Sequence, residues 1–328
     1  MNLSSPSTIH GLLKKYNLHP RKRFGQNFLV DGNVLSRIVD AACLTPGDGA
    51  LEIGTGLGVL TRALAEAVGT SGHVATIEID TALERVQAET LSGLTQVNLV
   101  RADALELNWK EFFDSEFSGH EQISVVANIP YNITTPLIER MLENKGRIRS
   151  IVLLVQKEVA ERLGAKAGSS AYGSVSVFVQ AQAKVEMVAV VSRKVFIPQP
   201  DVESAILRLT PYSEPPVPMP EPAFYFSIVR GSFGQRRKSL LNALSGDPRL
   251  AWERDMARDV IARSGIDPQR RGESLSLEEF GMLCDAAIAL EAPRPLPNKK
   301  AARVEDEDAA EIAGSPPQPL PGGEGLSD

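Results

Sequence analysis

The chain has 328 residues, of which 43% are hydrophobic and 23% are charged, and its formal net charge is −6. This length and hydrophobic content are enough for one large globular domain and a smaller second one. No apolar run approaches the roughly 18 residues of a membrane span, and the N-terminus lacks the apolar stretch of a secretory signal. We therefore expect a cytoplasmic protein without a membrane partner.

The cysteines and histidines give no sign of a metal site. Cys43 and Cys284 are far apart and belong to no CxxC pattern, and the histidines do not cluster. We interpret both cysteines as small buried side chains and expect neither a disulfide nor a bound metal. Nothing in the sequence indicates an obligate subunit interface, so we expect a monomer.

Basic side chains are concentrated in two segments of a chain that is acidic overall. One cluster lies in the N-terminal arm, residues 1–32, and the other lies near the C-terminus; the members are Lys14, Lys15, Arg21, Lys22 and Arg23, and Arg230, Arg236, Arg237 and Lys238. Neutralisation of phosphates by such side chains is the main source of nucleic-acid affinity. A basic cluster is also often an ordinary solvated face, and both interpretations stay open at this point.

The segment 33–211 alternates short apolar runs with segments of helical period. The runs lie at 49–53, 73–77, 97–100, 123–127, 151–155, 185–191 and 204–209. The first five are joined by helical segments and predict a parallel, doubly wound α/β sheet. The last two are joined by a loop and predict an antiparallel hairpin at one edge.

The C-terminal third of the chain changes character twice. A proline-rich segment at 212–222 predicts a linker, and residues 223–290 have a helical pattern that predicts a small all-α domain. Residues 291–328 are rich in Pro, Gly, Ala and acidic side chains without apolar periodicity, so we expect a disordered tail.

A glycine-rich turn follows the first predicted strand. Glu52 and Ile53 lead into Gly54, Gly56 and Gly58 in a GxGxG spacing before a helical segment. A dinucleotide fingerprint would need glycine at 59, where valine stands. The spacing suits S-adenosylmethionine, which has a ribose, an adenine and a cationic amino-acid part but no pyrophosphate.

Polar residues also stand at the ends of the next strands. Glu78 ends the second, at the spacing from the glycines at which an acid reaches ribose hydroxyls, and Asp103 follows the third, where it can accept from the adenine amino group of the cofactor. Asn128 ends the fourth strand. One such acid alone is more often a helix cap or a solvated residue, but a series at adjacent strand ends indicates a cofactor site.

The segment Asn128, Ile129, Pro130 and Tyr131 has the groups that methylation of an exocyclic amine requires. The N6 lone pair of adenine is delocalised into the ring, and hydrogen bonds from the amine to the Asn128 side-chain oxygen and the Ile129 carbonyl favour a pyramidal nitrogen. Tyr131 can stack on an unpaired or flipped base. On turn chemistry alone, a simple strand-to-loop turn is the alternative.

Six motifs in this order resemble the ribosomal RNA adenine N6,N6-dimethyltransferases, of the bacterial small-subunit type, over about residues 15–290. They are RFGQNFL at 23–29, EIGTGLG at 52–58, NIPYNI at 128–133, QKEVAER at 156–162, FIPQPDVESA at 196–205 and FGQRRKSL at 233–240. The resemblance implies a Rossmann-like class I S-adenosylmethionine-dependent methyltransferase sheet plus a small all-α C-terminal domain. Thr55 departs from the family pattern, in which many relatives have proline.

The resemblance also implies functions for individual residues. The cofactor S-adenosylmethionine would contact Asn27, Leu29, Gly54, Gly56, Glu78, Asp103 and Asn128. Phe196 would sandwich the target base opposite Tyr131. The helical domain would contact RNA, which fits its basic run Arg236, Arg237 and Lys238. From the basic cluster of the arm we also predict RNA contacts for Arg21, Lys22 and Arg23.

The implied substrate is a pair of adjacent adenines in the 3′-terminal hairpin loop of small-subunit (16S) ribosomal RNA, each dimethylated within an immature 30S subunit. One alternative is the related enzyme class that dimethylates an adenine of large-subunit RNA and confers macrolide resistance. Another is a non-catalytic RNA-binding assembly factor on the same fold. A dehydrogenase that uses NAD is disfavoured by Val59 and by the lack of a suitable histidine near a strand end.

Overall fold

Strands and helices follow one another in the alternating order that the apolar runs predict. The computed structural model describes residues 3–21, 24–129, 133–235 and 237–295. Its strands are β1 (Phe28–Leu29), β2 (Gly49–Ile53), β3 (His73–Glu78), β4 (Val97–Arg101), β5 (Ile123–Asn128), β6 (Ile148–Gln156), β7 (Ala183–Val191), β8 (Phe196–Ile197) and β9 (Ser204–Pro211).

The helices cover the sheet and form the C-terminal part of the structure. They are α1 (Pro6–Lys15), α2 (Gly32–Ala42), α3 (Val59–Val68), α4 (Glu84–Thr90), α5 (Trp109–Glu116), α6 (Thr134–Glu143), α7 (Lys157–Leu163), α8 (Ser174–Gln180), α9 (Pro222–Phe233), α10 (Leu240–Ser245), α11 (Arg254–Ser264) and α12 (Leu277–Ala289). Short 3₁₀ helices lie at Thr81–Leu83, Lys145–Arg147, Arg193–Val195 and Gly272–Ser274.

Seven strands form one sheet in the order β4-β3-β2-β5-β6-β9-β7. Strands β2 to β6 are parallel to one another, while β9 is antiparallel to both β6 and β7. Every residue of β2 is buried, as expected for a parallel strand that is covered on both faces. The predicted α/β sheet with an antiparallel hairpin at one edge is confirmed. The second strand of that hairpin, β9, lies between β6 and the edge strand β7.

Alternate residues of the central strands face two separate layers of helices. Leu51 of β2 packs in a hydrophobic cluster with α5 and α6, whereas its neighbour Ala50 packs in a cluster with α2 and α3. Val125 and Val126 repeat the alternation in β5. Because both faces are buried, the register of these strands is fixed, and so are the positions of the residues at their ends.

The N-terminal arm is held at two places within its described residues. Helix α1 buries Ile9 in a hydrophobic cluster with Leu57 of the glycine loop. Further along, β1 pairs with β8 in a two-stranded antiparallel sheet in which Leu29 lies opposite Phe196. The apolar runs did not predict this pairing, which joins residues distant in the chain.

Helices α9 to α12 surround a hydrophobic cluster of their own. It contains Tyr225 and Phe280 of these helices, Val217 of the proline-rich segment, and Tyr172 of the segment before α8. The Tyr172 hydroxyl donates a hydrogen bond to the main-chain oxygen of Leu275 at 3.0 Å. The helical part is therefore joined to the sheet part by a shared core as well as by the chain. The residue limits of the domains stay a prediction.

The prediction that both cysteines are buried is wrong for Cys43. This residue caps the C-terminus of α2 in the left-handed conformation, with φ of 51°, and its side chain is exposed. Cys284 is buried, and burial raises the pKa of its thiol to about 12. Both are free thiols. Within the described ranges, no helix combines the length and the apolar character that crossing a membrane requires.

Candidate active site

The polar residues at the predicted strand ends lie along one edge of the sheet. Gly54 follows β2, Glu78 ends β3 and Asn128 ends β5, and these strands are neighbours. Asp103 follows β4, the next strand beyond β3. A Cβ built on Gly54 would lie 3.4 Å from the main-chain oxygen of Asn128, so the loop after β2 contacts the end of β5. This is the carboxyl edge of the parallel strands, where ligands bind in such sheets.

The loop 54–58 has a backbone that favours glycine at every second position. Gly54, Gly56 and Gly58 have φ values of 87°, 54° and 81°. A Cβ on Gly58 would also lie 2.8 Å from a side-chain carbon of Leu91. The loop ends at the N-terminus of α3, whose free N–H groups attract negative or polar ligand atoms. The GxGxG spacing therefore brings a ligand close to the main chain.

The carboxylate of Glu78 ties this loop to β3. Its Oε2 accepts a hydrogen bond from the Gly56 N–H and its Oε1 accepts one from the Asp80 N–H, each at 2.8 Å. Burial raises the pKa of Glu78, while the main-chain N–H groups of Asp80 and Gly56 act in the opposite direction. Each oxygen retains a lone pair for a hydroxyl donor, so the geometry suits the ribose of a nucleoside cofactor.

A second acid, Glu52, lies fully buried in β2, just before the same loop. Its Oε2 accepts hydrogen bonds from the hydroxyls of Thr61, at 2.5 Å, and Thr76, at 2.6 Å. Thr76 thereby uses its only proton, so Thr55, at 2.7 Å, must donate to it. Burial raises the pKa of Glu52 to about 8, against the effect of the hydroxyl bonds. The sequence shows this acid, but only the structure shows that the loop residue Thr55 is connected to it.

Asn128 contacts the N-terminal arm as well as the glycine loop. Its Nδ2 donates a hydrogen bond to the main-chain oxygen of Asn27 at 3.3 Å. The Asn27 side chain in turn donates to the Gly25 carbonyl at 3.1 Å. Ile129 is buried, with 2% of its surface exposed, which fits the expectation that its carbonyl rather than its side chain serves the site.

Phe196 lies beside the arm rather than in open space. Its ring is 3% exposed and belongs to a hydrophobic cluster with Leu29 and Val191. The pairing of β1 with β8 places Phe196 directly opposite Leu29. In this structure the ring anchors the arm, and its stacking on a target base stays a prediction.

Comparison with known proteins covers nearly the whole described chain. The family model for ribosomal RNA adenine dimethylase matches residues 17–280. The chain is 41% identical over 288 residues to "Ribosomal RNA small subunit methyltransferase A" of Bacillus cytotoxicus. The matched region covers 88% of this chain and 98% of that relative. The same-named protein of Bacillus mycoides is 42% identical over the same shares. The chain belongs to the ribosomal RNA adenine dimethylase family.

Similarity to solved structures is consistent with this family assignment. The 23S rRNA methyltransferase ErmE has a TM-score of 0.59 and 27% identity, and the similarity covers 79% of this chain and 99% of that one. A dimethyladenosine transferase from Plasmodium falciparum has a TM-score of 0.65 and 24% identity, and the similarity covers 81% of this chain and 98% of that one. This second similarity supports the fold. The predictions of a methyltransferase fold, of an rRNA adenine dimethyltransferase and of S-adenosylmethionine as its cofactor are confirmed.

One feature of the dimethylase's cofactor edge was missed from the sequence. Ile79, between the buried acids Glu78 and Asp80, is 47% exposed. An apolar side chain beside Glu78, the acid that is predicted to bind the ribose, suits the face of a purine. Asp103, on the neighbouring strand end, is half-buried and its Oδ1 accepts from the Leu105 N–H at 2.8 Å, which leaves its other oxygen for a donor. Strand patterns give no sign of which strand-end side chains stay exposed.

The predicted RNA-contacting residues have different surroundings. Arg237 and Lys238 follow α9 and are exposed. Arg21 forms an ion pair with Asp80, with its Nη1 2.9 Å from the carboxylate, so its charge is already partnered. Arg230 is partly buried, and burial lowers the pKa of its guanidinium.

Several predicted positions lie outside the described residues. These are Lys22, Arg23, Pro130, Tyr131, Arg236 and the part of the tail at 296–328. Their predicted functions stay predictions.

Proposed function

We propose that this enzyme transfers methyl groups from S-adenosylmethionine to the N6 amines of two adjacent adenines in the 3′-terminal hairpin loop of 16S rRNA, within an immature 30S subunit. The observation that carries the proposal is the identity of 41–42% to small-subunit methyltransferases over 98% of their length. The similarity to the large-subunit enzyme ErmE is lower, at 27% identity. The large-subunit substrate is therefore not favoured.

The reacting nitrogen is activated by acceptors at the end of β5. The Asn128 side-chain oxygen and the Ile129 carbonyl accept hydrogen bonds from the N6 amine and draw its lone pair out of the ring. With S-adenosylmethionine bound, the N6 nitrogen would accept the methyl group, S-adenosylhomocysteine would depart with the S–C electron pair, and the N6 proton would pass to solvent. No separate general base is needed, because the methylated, positively charged amine is strongly acidic. These interactions are stronger in the transition state than in the ground state, as catalysis requires.

S-adenosylmethionine supplies the electrophilic methyl group, and the residues of the carboxyl edge orient it. The main chain at Gly54 and Gly56 lets the ligand approach the loop, and Glu78 accepts from its ribose hydroxyls. Asp103 accepts from its adenine amine. Asn27 and Leu29 of the arm, together with Asn128, complete the site. Their positions along adjacent strand ends support this assignment.

RNA affinity comes from exposed basic side chains outside the pocket. Arg237 and Lys238, with Arg236 between α9 and α10, are proposed to contact phosphates. Tyr131 is proposed to stack on the target adenine. We also propose that the enzyme acts as a monomer, since nothing in the sequence indicates an obligate subunit interface.

A transfer assay with labelled S-adenosylmethionine tests the substrate. Small subunits from a strain that lacks the modification should accept methyl groups, and large subunits from the same strain should not. Small subunits from a modified strain are the matched control and should accept none, because their N6 positions are already filled. Label on large-subunit RNA would overturn the substrate, and absence of label on every RNA would overturn the proposed activity.

A further inference from the structure

The N-terminal arm crosses three adjacent strand ends of the cofactor edge. After β3, Asp80 accepts hydrogen bonds from arm residues. Above the loop that follows β2, the ring of Phe28 would lie 3.6 Å from a Cβ on Gly56. At the end of β5, Asn128 donates to the Asn27 carbonyl. The arm therefore lies over the same edge to which the cofactor site is assigned.

Asp80 is the centre of the first of these contacts. Its side chain is almost fully buried, whereas Arg21 is 42% exposed. Its Oδ1 accepts from Arg21 Nη1 at 2.9 Å and its Oδ2 accepts from Gln26 Nε2 at 2.8 Å. Gln26 Oε1 also accepts from the Arg21 N–H at 2.9 Å, which closes a ring of hydrogen bonds. Bonds to a buried carboxylate are charge-assisted and stronger than neutral ones.

Polar bonds tie the arm to the turn that follows β3. Helix α1 and strand β1 are fixed by apolar contacts and by pairing with β8. Between them, Arg21, Gln26 and Asp80 line a cavity of about 260 Å³ that also reaches Phe28 and Leu83. Loss of the Asp80 bonds would therefore loosen the arm at Arg21 and Gln26, whereas Leu18 and Phe28 on either side would stay packed in the hydrophobic cluster of α1.

The same turn carries the proposed ribose acid. The Asp80 N–H donates to Glu78 Oε1 at 2.8 Å, and Glu78 Oε2 accepts from the Gly56 N–H. One side of Asp80 thus binds the arm, and its main chain orients the carboxylate that faces the cofactor. The position of the arm and the geometry of the ribose site are linked through one residue.

We propose that Asp80 is a positioning residue that latches the N-terminal arm closed over the methyl-donor site through Arg21 and Gln26. It contacts neither the methyl group nor the target base. The proposal rests on the proposed function for the identity of the methyl donor. It assigns Arg21 to cofactor retention, and direct contact of Arg21 with RNA phosphate is the competing outcome.

The test measures cofactor affinity and steady-state kinetics of full-length variants. Arg21→Gln and Asp80→Asn should each raise the Kd for S-adenosylhomocysteine and the KM for S-adenosylmethionine about tenfold. At saturating cofactor, kcat and the KM for small subunits should stay within twofold of the unmodified enzyme. The double variant should be no weaker than the weaker single one, because the Arg21 side chain acts through its ion pair with Asp80, which Asp80→Asn already abolishes. Arg21→Lys should recover part of the affinity.

Arg149→Gln is the matched control. Arg149 pairs with Asp48 at the same 2.9 Å and is similarly exposed, at 40%, but it lies near the amino ends of β6 and β2, away from the arm. This variant should bind the cofactor as the unmodified enzyme does. Arg21→Gln removes only an exposed side chain and keeps the test decisive if Asp80→Asn does not fold.

Two results would overturn the latch. One is unchanged cofactor affinity in Arg21→Gln, and the other is a raised KM for small subunits with a flattened salt dependence, which would assign Arg21 to RNA. The latch and the proposed function can fail separately, because binding of S-adenosylhomocysteine needs no RNA. If Arg21→Gln and Asp80→Asn weaken this binding but the unmodified enzyme methylates no RNA, the proposed substrate is rejected and the latch is retained.

Discussion

The side-chain amide of Asn128 donates a hydrogen bond to the main-chain oxygen of Asn27 across 3.3 Å. A carbonyl can only accept, so this contact requires that Nδ2 point to the arm and that Oδ1 point away from it. The proposed chemistry needs an acceptor oxygen for the adenine amine, and Asn27 selects the amide orientation that supplies it. The bond from Asn128 to Asn27 thus sets the orientation of the amide that we propose to be catalytic.

Replacement of this amide should slow methyl transfer. We expect Asn128→Ala to lose about 2–4 kcal/mol of transition-state stabilisation, which is roughly a 30- to 1,000-fold fall in kcat, while affinity for small subunits is retained. Single-turnover transfer at saturating cofactor measures the change. Asn98→Ala, on an exposed position of β4 bonded to Glu116, should keep normal turnover. Near-normal turnover in Asn128→Ala would exclude the polarisation mechanism.

Glu52 should make stability depend on pH. Its pKa is raised from 4.5 to about 8, so between these values the folded chain holds a proton that the unfolded chain releases. Its contribution is fully present below about pH 4.5 and is lost as pH rises through about 8, an effect of the order of a few kcal/mol. Denaturant unfolding from pH 5 to 8.5 should show a steeper fall for the unmodified chain than for Glu52→Gln. Glu66→Gln, on the exposed face of α3, is the control and should show the same pH dependence as the unmodified chain. Equal slopes of unfolding free energy against pH in all three proteins would contradict a raised pKa of Glu52.

The glycine loop allows a comparison in which backbone strain is held constant. Gly58 and Gly93 both have φ of 81°, but a Cβ on Gly58 would lie 2.8 Å from Leu91 and one on Gly93 would meet nothing within 4 Å. Alanine at either site incurs the same left-handed strain, whereas only Gly58→Ala adds overpacking of about 1–3 kcal/mol. The difference between the two unfolding free energies measures the steric cost of the added methyl group. Equal destabilisation would show that Leu91 moves aside without cost.

The basic run after α9 should control RNA affinity and its salt dependence. We expect alanine at Arg236, Arg237 and Lys238 to weaken binding to small subunits and to lower the slope of log affinity against log salt by about 0.7 for each phosphate that is no longer neutralised. Fluorescence anisotropy at several salt concentrations gives the slope. Alanine at Arg37 and Lys110, exposed basic residues of α2 and α5, should leave it unchanged. If the triple variant keeps the original slope, the run is a solvated face.

The parts of the fold that depend on local pattern were predictable from the sequence. Short β-branched runs located β2 to β6, and the end of each run located Gly54, Glu78 and Asn128, because a buried parallel strand and its ligand-facing end are both written in a few consecutive residues. The motifs added the family and, with it, the predicted pair of adenines in small-subunit ribosomal RNA.

Features that depend on contacts between distant residues were not predictable. The bond between Arg21 and Asp80 joins residues 59 positions apart, and the pairing of Leu29 with Phe196 has no local signature. Exposure of Cys43 depends on its position as a helix cap rather than on its apolar character. For Arg21 and Leu29 a distant residue is the contact partner, and no pattern in one segment specifies that partner.

Mass spectrometry of 16S rRNA fragments after reaction with the purified enzyme tests the central claim most directly. Small subunits that lack the modification should gain two adjacent N6,N6-dimethyladenosines in the 3′-terminal hairpin loop, and the same subunits treated with Asn128→Ala should gain far fewer methyl groups. Methyl groups on any other nucleotide of the 16S rRNA, or dimethyladenosine in large-subunit RNA instead, would contradict it.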